Sequence, residues 1–354
     1  MRFFYLEDIR KSYHFLQFIY FDENESSNEL FIYNTKIRDS DEYLMSLKQA
    51  FPEQRFVSID EFQLEEAKGS ELFLNHTLYS KEGIEFIRSL NCSKITMFLG
   101  NNVGIIEHDK SALLISPDEY ILWNEAFIFH LLEHRQSKLL NEKHKFRVIN
   151  FVTSNILFQH EKIDVLVFAP TRLCFETEHD ITIFLLNLNR ALGEIEKSSN
   201  VYFKPHQGVK DNYLESSKKI YQCISAVMSF LSVKQLQRFA RLFEKRKGAI
   251  KILNYSLFKK VERKYGFSQL AYPLLPIELF LPLIKSRLIG GFSNTLITAA
   301  YLDLKIDLLG MKRIPELVSK RGTQINSAKY LKLNMRFFYN QSEEKYLFSK
   351  KSFN

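Results

Sequence analysis

The sequence predicts an α/β protein made of two halves, each with a parallel sheet covered by helices. Strand-like and helix-like segments alternate in short order through the first half of the chain, and the same alternation restarts near residue 163. Parallel strands need a crossover connection, which is usually a helix, so this alternation is typical of helix-covered parallel sheets. A length of 354 residues is enough for two such domains.

In the first half, three strands and three helices are predicted. The strands are Asn28–Asn34, Arg55–Ile59 and Lys94–Leu99, and the helices are Asp41–Phe51, Gly83–Leu90 and Pro117–Leu140. The first of these helices stops before Pro52, which cannot continue it. The last has apolar residues at every third or fourth position, the spacing of one helical face.

The second half continues with five predicted strands and four predicted helices. The strands are Ile163–Ala169, Asn200–Lys204, Ala249–Leu253, Leu288–Gly290 and Lys305–Leu309, and the helices are Asp180–Glu196, Leu214–Leu242 with a break near Ser232, Pro276–Lys285 and Thr295–Leu302. The polar stretch between Lys138 and Lys162 divides the halves. We therefore predict Rossmann-like domains over residues 1–150 and 151–354, facing across a cleft in the architecture called GT-B.

The chain is basic, with a net charge of +8 and a pI of about 9.1. The excess lies late in the sequence, in the run from Arg238 to Lys264 and in a tail rich in lysine and aromatic residues. Such clusters fit either a solvated face or docking on an anionic membrane surface. Zinc-finger, KH and RNP signatures are lacking, so no nucleic-acid partner is expected.

Location and cofactors are constrained by what the sequence lacks. No apolar run approaches the ~20 residues of a membrane span, and the N-terminus turns acidic too early for a signal peptide. We expect a cytoplasmic protein, with the inner face of the cytoplasmic membrane as a place for peripheral association. The three cysteines have no metal-ligand spacing and are expected to be reduced. No metal is expected, and the oligomeric state is left open.

Three short signals follow one another in the second half, each at the end of a predicted element. The first is Lys204-Pro205-His206, at the end of a strand. Side chains two apart on a strand point the same way, so Lys204 and His206 face one crevice. Lysine offers a charge with three donors, and histidine can bind a phosphate or pass a proton near neutral pH. A surface lysine and a histidine that caps a turn are the alternative.

The other two signals each begin a predicted helix. In Pro276-Ile277-Glu278, the carboxylate can cap the helix or accept hydrogen bonds from two ribose hydroxyls. In Gly290-Gly291-Phe292-Ser293-Asn294-Thr295, glycines let the backbone approach an anion, and Ser293 and Thr295 add hydroxyl donors. An ordinary N-cap at Ser293 or Asn294 is the alternative.

In this order the three signals resemble the nucleotide site of bacterial sialyltransferases of the GT-B type, a group that includes lipooligosaccharide sialyltransferases and capsule polysialyltransferases. The resemblance covers roughly residues 163–310. It implies a metal-independent, inverting transfer of sialic acid or a related nonulosonate from a CMP donor to a cell-surface glycan, with no cofactor besides the donor.

The resemblance also implies roles for single residues. Lys204 would contact the cytosine, and His206 would bind the phosphate and protonate the departing CMP. Glu278 would hold the ribose hydroxyls, and Ser293 with Asn294 or Thr295 would hold the phosphate.

The chain departs from the family pattern in three places. Gln207 stands where the motif has proline, Asn294 follows Ser293, and a clean acidic-acidic-glycine motif is missing. An inverting transfer needs a carboxylate as general base. Glu178 is the first candidate, with Glu176 and Asp180 beside it, although these acids also suit the first turn of a helix.

These departures leave two further hypotheses open. One is a non-catalytic protein of the same architecture that binds glycans or assists their assembly. The other is a transferase of the same fold that uses CMP-Kdo or another nucleotide sugar.

Overall fold

A computed structural model describes residues 1–7, 9, 12–21, 29–34, 40–75, 79–99, 115–122, 146–148, 159–169, 175, 177–205, 214, 219–228, 230–242, 247–291, 295, 299 and 304–309. The chain forms two compact units. The first takes in Met1–Gln159 and a returning segment, Leu274–Pro282, and the second takes in His160–Pro273 and resumes at Leu283. The domain limits 1–150 and 151–354 stay a prediction.

The first unit contains a parallel sheet in the order β3-β2-β1-β4-β5-β6-β7. Its strands are Arg2–Leu6 (β1), Glu29–Tyr33 (β2), Arg55–Ser58 (β3), Glu71–Asn75 (β4), Lys94–Leu99 (β5), Glu119–Leu122 (β6) and Phe146–Val148 (β7). Its helices are Ser12–Phe21 (α1), Ser40–Ala50 (α2) and Lys81–Ser89 (α3). The short turn Leu64–Ala67 precedes β4.

Aromatic side chains fill the core of this unit. Phe4 on β1 stacks on Phe31 of β2 and Phe73 of β4, with ring centroids 5.2 and 4.8 Å apart. Phe15 of α1 packs on Phe4 and meets Phe98 of β5 edge-on. Strands buried on both faces are written as continuous apolar runs, which is why β1 and β2 show no polar alternation.

The second unit contains a parallel sheet in the order β10-β9-β8-β11-β12. Its strands are Ile163–Phe168 (β8), Val201–Lys204 (β9), Ser268–Gln269 (β10), Ile284–Gly290 (β11) and Ile306–Leu308 (β12). Its helices are Glu178–Gly193 (α4), Lys219–Met228 (α5), Val233–Leu242 (α6) and Lys247–Tyr265 (α7). Apolar side chains of α4, α6 and α7 pack with those of β8 and β9 in one core.

The two sheets share one topology. In each, the first strand lies inside the sheet, with the second and third strands on one side of it and the fourth and later strands on the other. This is the Rossmann strand order: strands are added on one side of the first strand, and from the fourth strand onward on its other side. The switch point is the place between the first and fourth strands. The prediction of an α/β protein with two Rossmann-like halves is confirmed. Ligands of such sheets bind beyond the carboxyl ends of the strands at this switch point.

Three predicted elements were wrong. Ala249–Leu253 is not a strand but part of α7, because the apolar spacing of three and four continues through Leu257 to Val261. Pro276–Lys285 is not one helix: two short 3-10 turns, Ile277–Leu279 and Leu281–Leu283, lead into β11.

The third wrong element is the start of the helix predicted from Pro117. Residues Glu119–Leu122 pair with β5 as the strand β6. The remainder of that predicted helix lies outside the described residues. Over the part of the chain that the structure describes, no helix is both long and apolar enough to cross a membrane.

Candidate functional site

The switch point of the second sheet lies between β8 and β11, and Lys204 lies beside it. The strand register aligns Lys204 with Phe168, Phe168 with Gly290, and Gly290 with Leu308 in one row across the sheet. Backbone hydrogen bonds close the row, from Ala169 N to Lys204 O at 3.1 Å and from Leu309 N to Gly290 O at 2.8 Å. The structure thus brings Lys204 and the start of the glycine-containing loop to the same edge.

Lys204 places a buried cation at this edge. The residue is only 2% exposed. Its Nζ donates to the carbonyl oxygens of Pro205 at 2.9 Å and Pro273 at 2.7 Å. A buried ammonium group needs such partners, because removing a charge from water is costly. The second bond also ties the chain after β10 to the end of β9, which fixes the ammonium group at the carboxyl edge.

Gly290 has a packing role that the sequence does not reveal. A Cβ at this position would lie less than 3.0 Å from three ring atoms of Phe168 on the neighbouring strand. The first glycine of the pair is therefore required by contact between β8 and β11. An anion site in this loop depends on the residues that follow, beginning at Gly291.

Thr295 is the one predicted phosphate-binding residue of this loop that the structure describes. It is helical and buried, as is Ala299 one turn later. Both lie within the predicted helix Thr295–Leu302, and the rest of that element lies outside the described residues. Ser293 and Asn294 lie outside the described residues, and so do His206 and Glu176.

The acids after β8 lie at the N-terminus of α4. Thr177 is the N-cap: its hydroxyl accepts from Asp180 N, and its own N–H donates to Asp180 Oδ2 at 2.8 Å. This reciprocal capping box gives Asp180 a structural role. Glu178 heads the helix, and its Oε1 lies 3.9 Å from Lys251 Nζ on α7.

A buried polar link holds α4 to α7 at the same place. Asn254 Nδ2 donates to the backbone oxygen of Glu178 at 2.7 Å, and Thr182 Oγ1 donates to Asn254 Oδ1 at 2.7 Å. The link fixes the first turn of α4, and with it the position of the Glu178 backbone.

Glu278 is buried in the first turn after Pro276, but this segment packs with the first unit. The turn Ile277–Leu279 contacts α1, and the whole stretch Leu274–Pro282 belongs to the N-terminal body. The sequence assigned Glu278 to the second domain on chain order alone. Its approach to Lys204 around one nucleotide stays a prediction.

The switch point of the first sheet holds a carboxylate that the sequence analysis missed. Glu7 directly follows β1 and is buried. Its Oε1 accepts from Ser80 N at 2.9 Å and from the Asn34 amide at 3.5 Å, and its Oε2 accepts from the Tyr5 hydroxyl at 2.6 Å. The signal in the sequence is an acid placed directly after the apolar run of residues 3–6.

Glu7 lies against the N-terminus of α3. Ser80 caps this helix, and a Cβ on Gly83 would lie less than 3.0 Å from both Glu7 Oε2 and Tyr5 Oη. Burial, and then the hydrogen bond and charge of Glu7, raise the pKa of Tyr5 above its usual range. The favourable end of the helix dipole is thus already matched with a negative charge from the protein itself.

The described residues at the two switch points differ. Glu7 places a buried carboxylate at the first, whereas the second has the buried Lys204 Nζ, bonded to two carbonyl oxygens, and the carboxylates of Glu178 and Asp180 at the start of α4. Among the described residues, no group of three or more His, Cys, Asp and Glu side chains is arranged to hold a metal ion.

Comparisons with known proteins do not identify a family for this chain. No family model matches the chain, and no curated protein matches it. A solved Staphylococcus aureus MnaA–UDP co-structure aligns over 99% of this chain and 92% of its own, with 10% identity and a TM-score of 0.45. At that level of similarity nothing about ligand or activity follows for this chain.

Proposed function

We propose that the chain is a nucleotide-sugar-dependent glycosyltransferase whose donor site lies at the carboxyl edge of the second sheet. The observation that carries the proposal is the buried Lys204 ammonium beside the β8–β11 switch point. A cation fixed there, in a basic chain, suits a nucleotide phosphate or a polar base edge.

The finer proposal is that the donor carries CMP and an acidic sugar, sialic acid or a related nonulosonate, and that a cell-surface glycan accepts it. Support comes from the order of the three signals around Lys204, Glu278 and Ser293. In the proposed reaction the acceptor hydroxyl attacks the anomeric carbon, and the bond to the CMP phosphate oxygen breaks with inversion. A carboxylate takes the hydroxyl proton, and His206 protonates the departing phosphate.

Of the candidates for the general base, the structure describes Glu178 and Asp180, and we favour Glu178. Asp180 is engaged in the capping box, which leaves its carboxylate less suited to proton transfer. Glu178 begins α4 after the β8 strand and faces Lys251 at a distance that a longer ion pair spans.

Nucleotide binding tests the proposal first. We expect CMP to raise the melting temperature of the wild-type protein more than UMP, GMP or AMP does. Lys204→Met should weaken CMP binding roughly 10- to 100-fold, since a hydrogen bond to a charged group is lost. Lys260→Met is the matched control: this lysine also bonds a backbone carbonyl, Leu231 O, but lies on α7. Binding titrations on the folded variants give the comparison.

Turnover tests the chemistry. With CMP-sialic acid, CMP-Kdo and UDP-sugars as donors, released nucleotide identifies the donor class. His206→Ala and Glu178→Gln should each lower kcat by about 10²- to 10⁴-fold without a matching loss of stability. A protein that responds to no nucleotide would instead support a non-catalytic glycan-binding role. Wild-type turnover in both variants would overturn the assignment of acid and base.

A further inference from the structure

The three most exposed large apolar side chains of the described residues lie in one helical hairpin. Val227 lies in the last turn of α5, Phe230 lies in the turn that follows, and Leu242 ends α6; they are 70%, 90% and 77% exposed. Phe239 on α6 is also exposed. Single exposed apolar residues are common. Here four lie within the sixteen residues 227–242, two beside the turn and Leu242 roughly 14 Å away along α6, and exposed apolar surface of this extent marks an interaction site.

The hairpin is built to hold these side chains outward. Ser232 N donates to Gln235 Oε1 at 2.7 Å, and Gln235 N donates to Ser232 Oγ at 3.2 Å, which closes a capping box at the start of α6. Lys260 Nζ on α7 donates to Leu231 O in the same turn. Phe230 therefore projects from a turn fixed at both sides.

The face of α6 that points toward the core differs from its exposed face. Leu236 and Ala240 are buried in the core of the second unit. On a helix, Lys234, Arg238 and Arg241 follow one another at spacings of four and three, on the side away from those two residues. Leu242 follows Arg238 by four, so it shares their face.

The charge of the hairpin has one sign. From Lys219 to Leu242 the sequence has four basic residues and no acidic one. Lys234, Arg238 and Arg241 are all exposed. Each basic residue near an anionic bilayer strengthens its binding about fivefold, and exposed phenylalanine and leucine add to this by entering the interface.

We propose that the α5–α6 hairpin docks on an anionic lipid bilayer, with Phe230 and Leu242 entering the interface and the three cations facing lipid headgroups. Two other occupants fit less well. Nucleic acid would match the charge but would leave aliphatic Val227 and Leu242 without a partner. A symmetric dimer would bring this patch against its own copy, and the like charges would repel.

Cosedimentation with vesicles tests the proposal on the full-length protein. We expect binding to phosphatidylcholine vesicles containing phosphatidylglycerol and at least 20-fold weaker binding to phosphatidylcholine alone. The variant Lys234→Glu/Arg238→Glu/Arg241→Glu should lose at least 100-fold in affinity. Phe230→Ser/Leu242→Ser should lose about 10-fold or more and should retain the melting temperature, because both side chains are exposed.

Matched variants on the first unit separate local docking from overall charge. Lys48→Glu/Lys68→Glu/Arg88→Glu makes the same change in charge at exposed positions, and Met45→Ser/Leu64→Ser removes exposed apolar groups. Both controls should bind vesicles within about threefold of wild type. Equal loss in the charge control and the hairpin variant would overturn the proposal. So would tighter binding to duplex DNA than to vesicles, or a dimer that the Phe230/Leu242 variant abolishes.

Discussion

At the scale of single residues, two glycines are required because a neighbouring side chain takes the space of the missing Cβ. At Gly290 the neighbour is the Phe168 ring, and at Gly83 it is the Glu7 carboxylate with the Tyr5 hydroxyl. Both glycines adjoin a switch point, where strands and helix ends converge. Close approach there serves packing in one sheet and charge matching in the other.

Gly290→Ala should destabilise the protein by about 1–3 kcal/mol, because the added methyl group overlaps the Phe168 ring in a packed core. Urea unfolding gives the free energy. Gly248→Ala is the control: it lies in α7 with open space around its Cβ, so it should be neutral or stabilising by up to about 1 kcal/mol. Adding Phe168→Leu to Gly290→Ala should recover part of the loss. A fully additive double variant would contradict the packing explanation.

The Tyr5–Glu7 pair predicts a loss of stability in alkali. Because the pKa of Tyr5 is raised in the folded state, the unfolded chain ionises first, and stability falls as pH rises above about 10. One such tyrosine contributes a slope of up to about 1.4 kcal/mol per pH unit. Burial also raises the pKa of Tyr33 and Tyr202, so part of the slope should remain in Tyr5→Phe.

The measurement is the free energy of unfolding of wild type and Tyr5→Phe at several pH values from 8 to 11. Tyr5→Phe should be less stable at pH 8 by about 1.5–3 kcal/mol, since a hydrogen bond to a carboxylate is lost. The difference between the two proteins should shrink as pH rises. A constant difference across this range would show that the pKa of Tyr5 is the same in the folded and unfolded states.

At the scale of secondary-structure elements, the sequence predicted strands and helix boundaries correctly where the local pattern favoured one structure only. Lys94–Leu99 was predicted as a strand and is β5, and the predicted break near Ser232 separates α5 from α6. Ala249–Leu253 has β-branched residues in a short apolar run, yet its neighbours continue the helical spacing over nineteen residues. The long-range pattern decided the structure because α7 buries that face against the core.

The candidate site was also predictable only in part, because some of its contacts join residues that are far apart in the sequence. That Lys204 ends a strand could be read from the apolar residues before it, and register then places it beside Phe168. Glu7 follows an apolar run, but its role could not be recognised, because its partners Asn34 and Ser80 lie 27 and 73 positions away. The position of Glu278 was equally hidden, since nothing local tells that the chain returns to the first unit there.

At the scale of the whole molecule, the chain passes from the first unit to the second, returns, and passes back. The returning segment, Leu274–Pro282, supplies apolar residues that are almost fully buried: Leu275, Leu279, Phe280 and Leu281. Its turn Ile277–Leu279 packs against α1. The first unit is thus completed by residues that follow β10 in the second.

This connection predicts that the second unit, expressed alone, exposes apolar surface and aggregates. A fragment of residues 160–354 keeps the returning segment but lacks the first unit that buries it. Each exposed Leu or Phe forfeits about 1.5–3 kcal/mol of burial, and the contiguous apolar stretch becomes an aggregation site. We expect the fragment to bind more hydrophobic dye and to self-associate more than the intact protein does.

Two comparisons test this expectation. In the fragment, replacing Leu279, Phe280 and Leu281 with serine should restore a monomer that binds less dye. In the intact chain, the same changes should lower the free energy of unfolding, by about 2–5 kcal/mol for each large residue removed from a core. Mixing the fragment with residues 1–159 should quench the dye signal as the segment is buried again. A fragment that is cooperatively folded and, without these changes, neither binds more dye nor associates more than the intact protein would show that Leu274–Pro282 folds onto its own half of the chain.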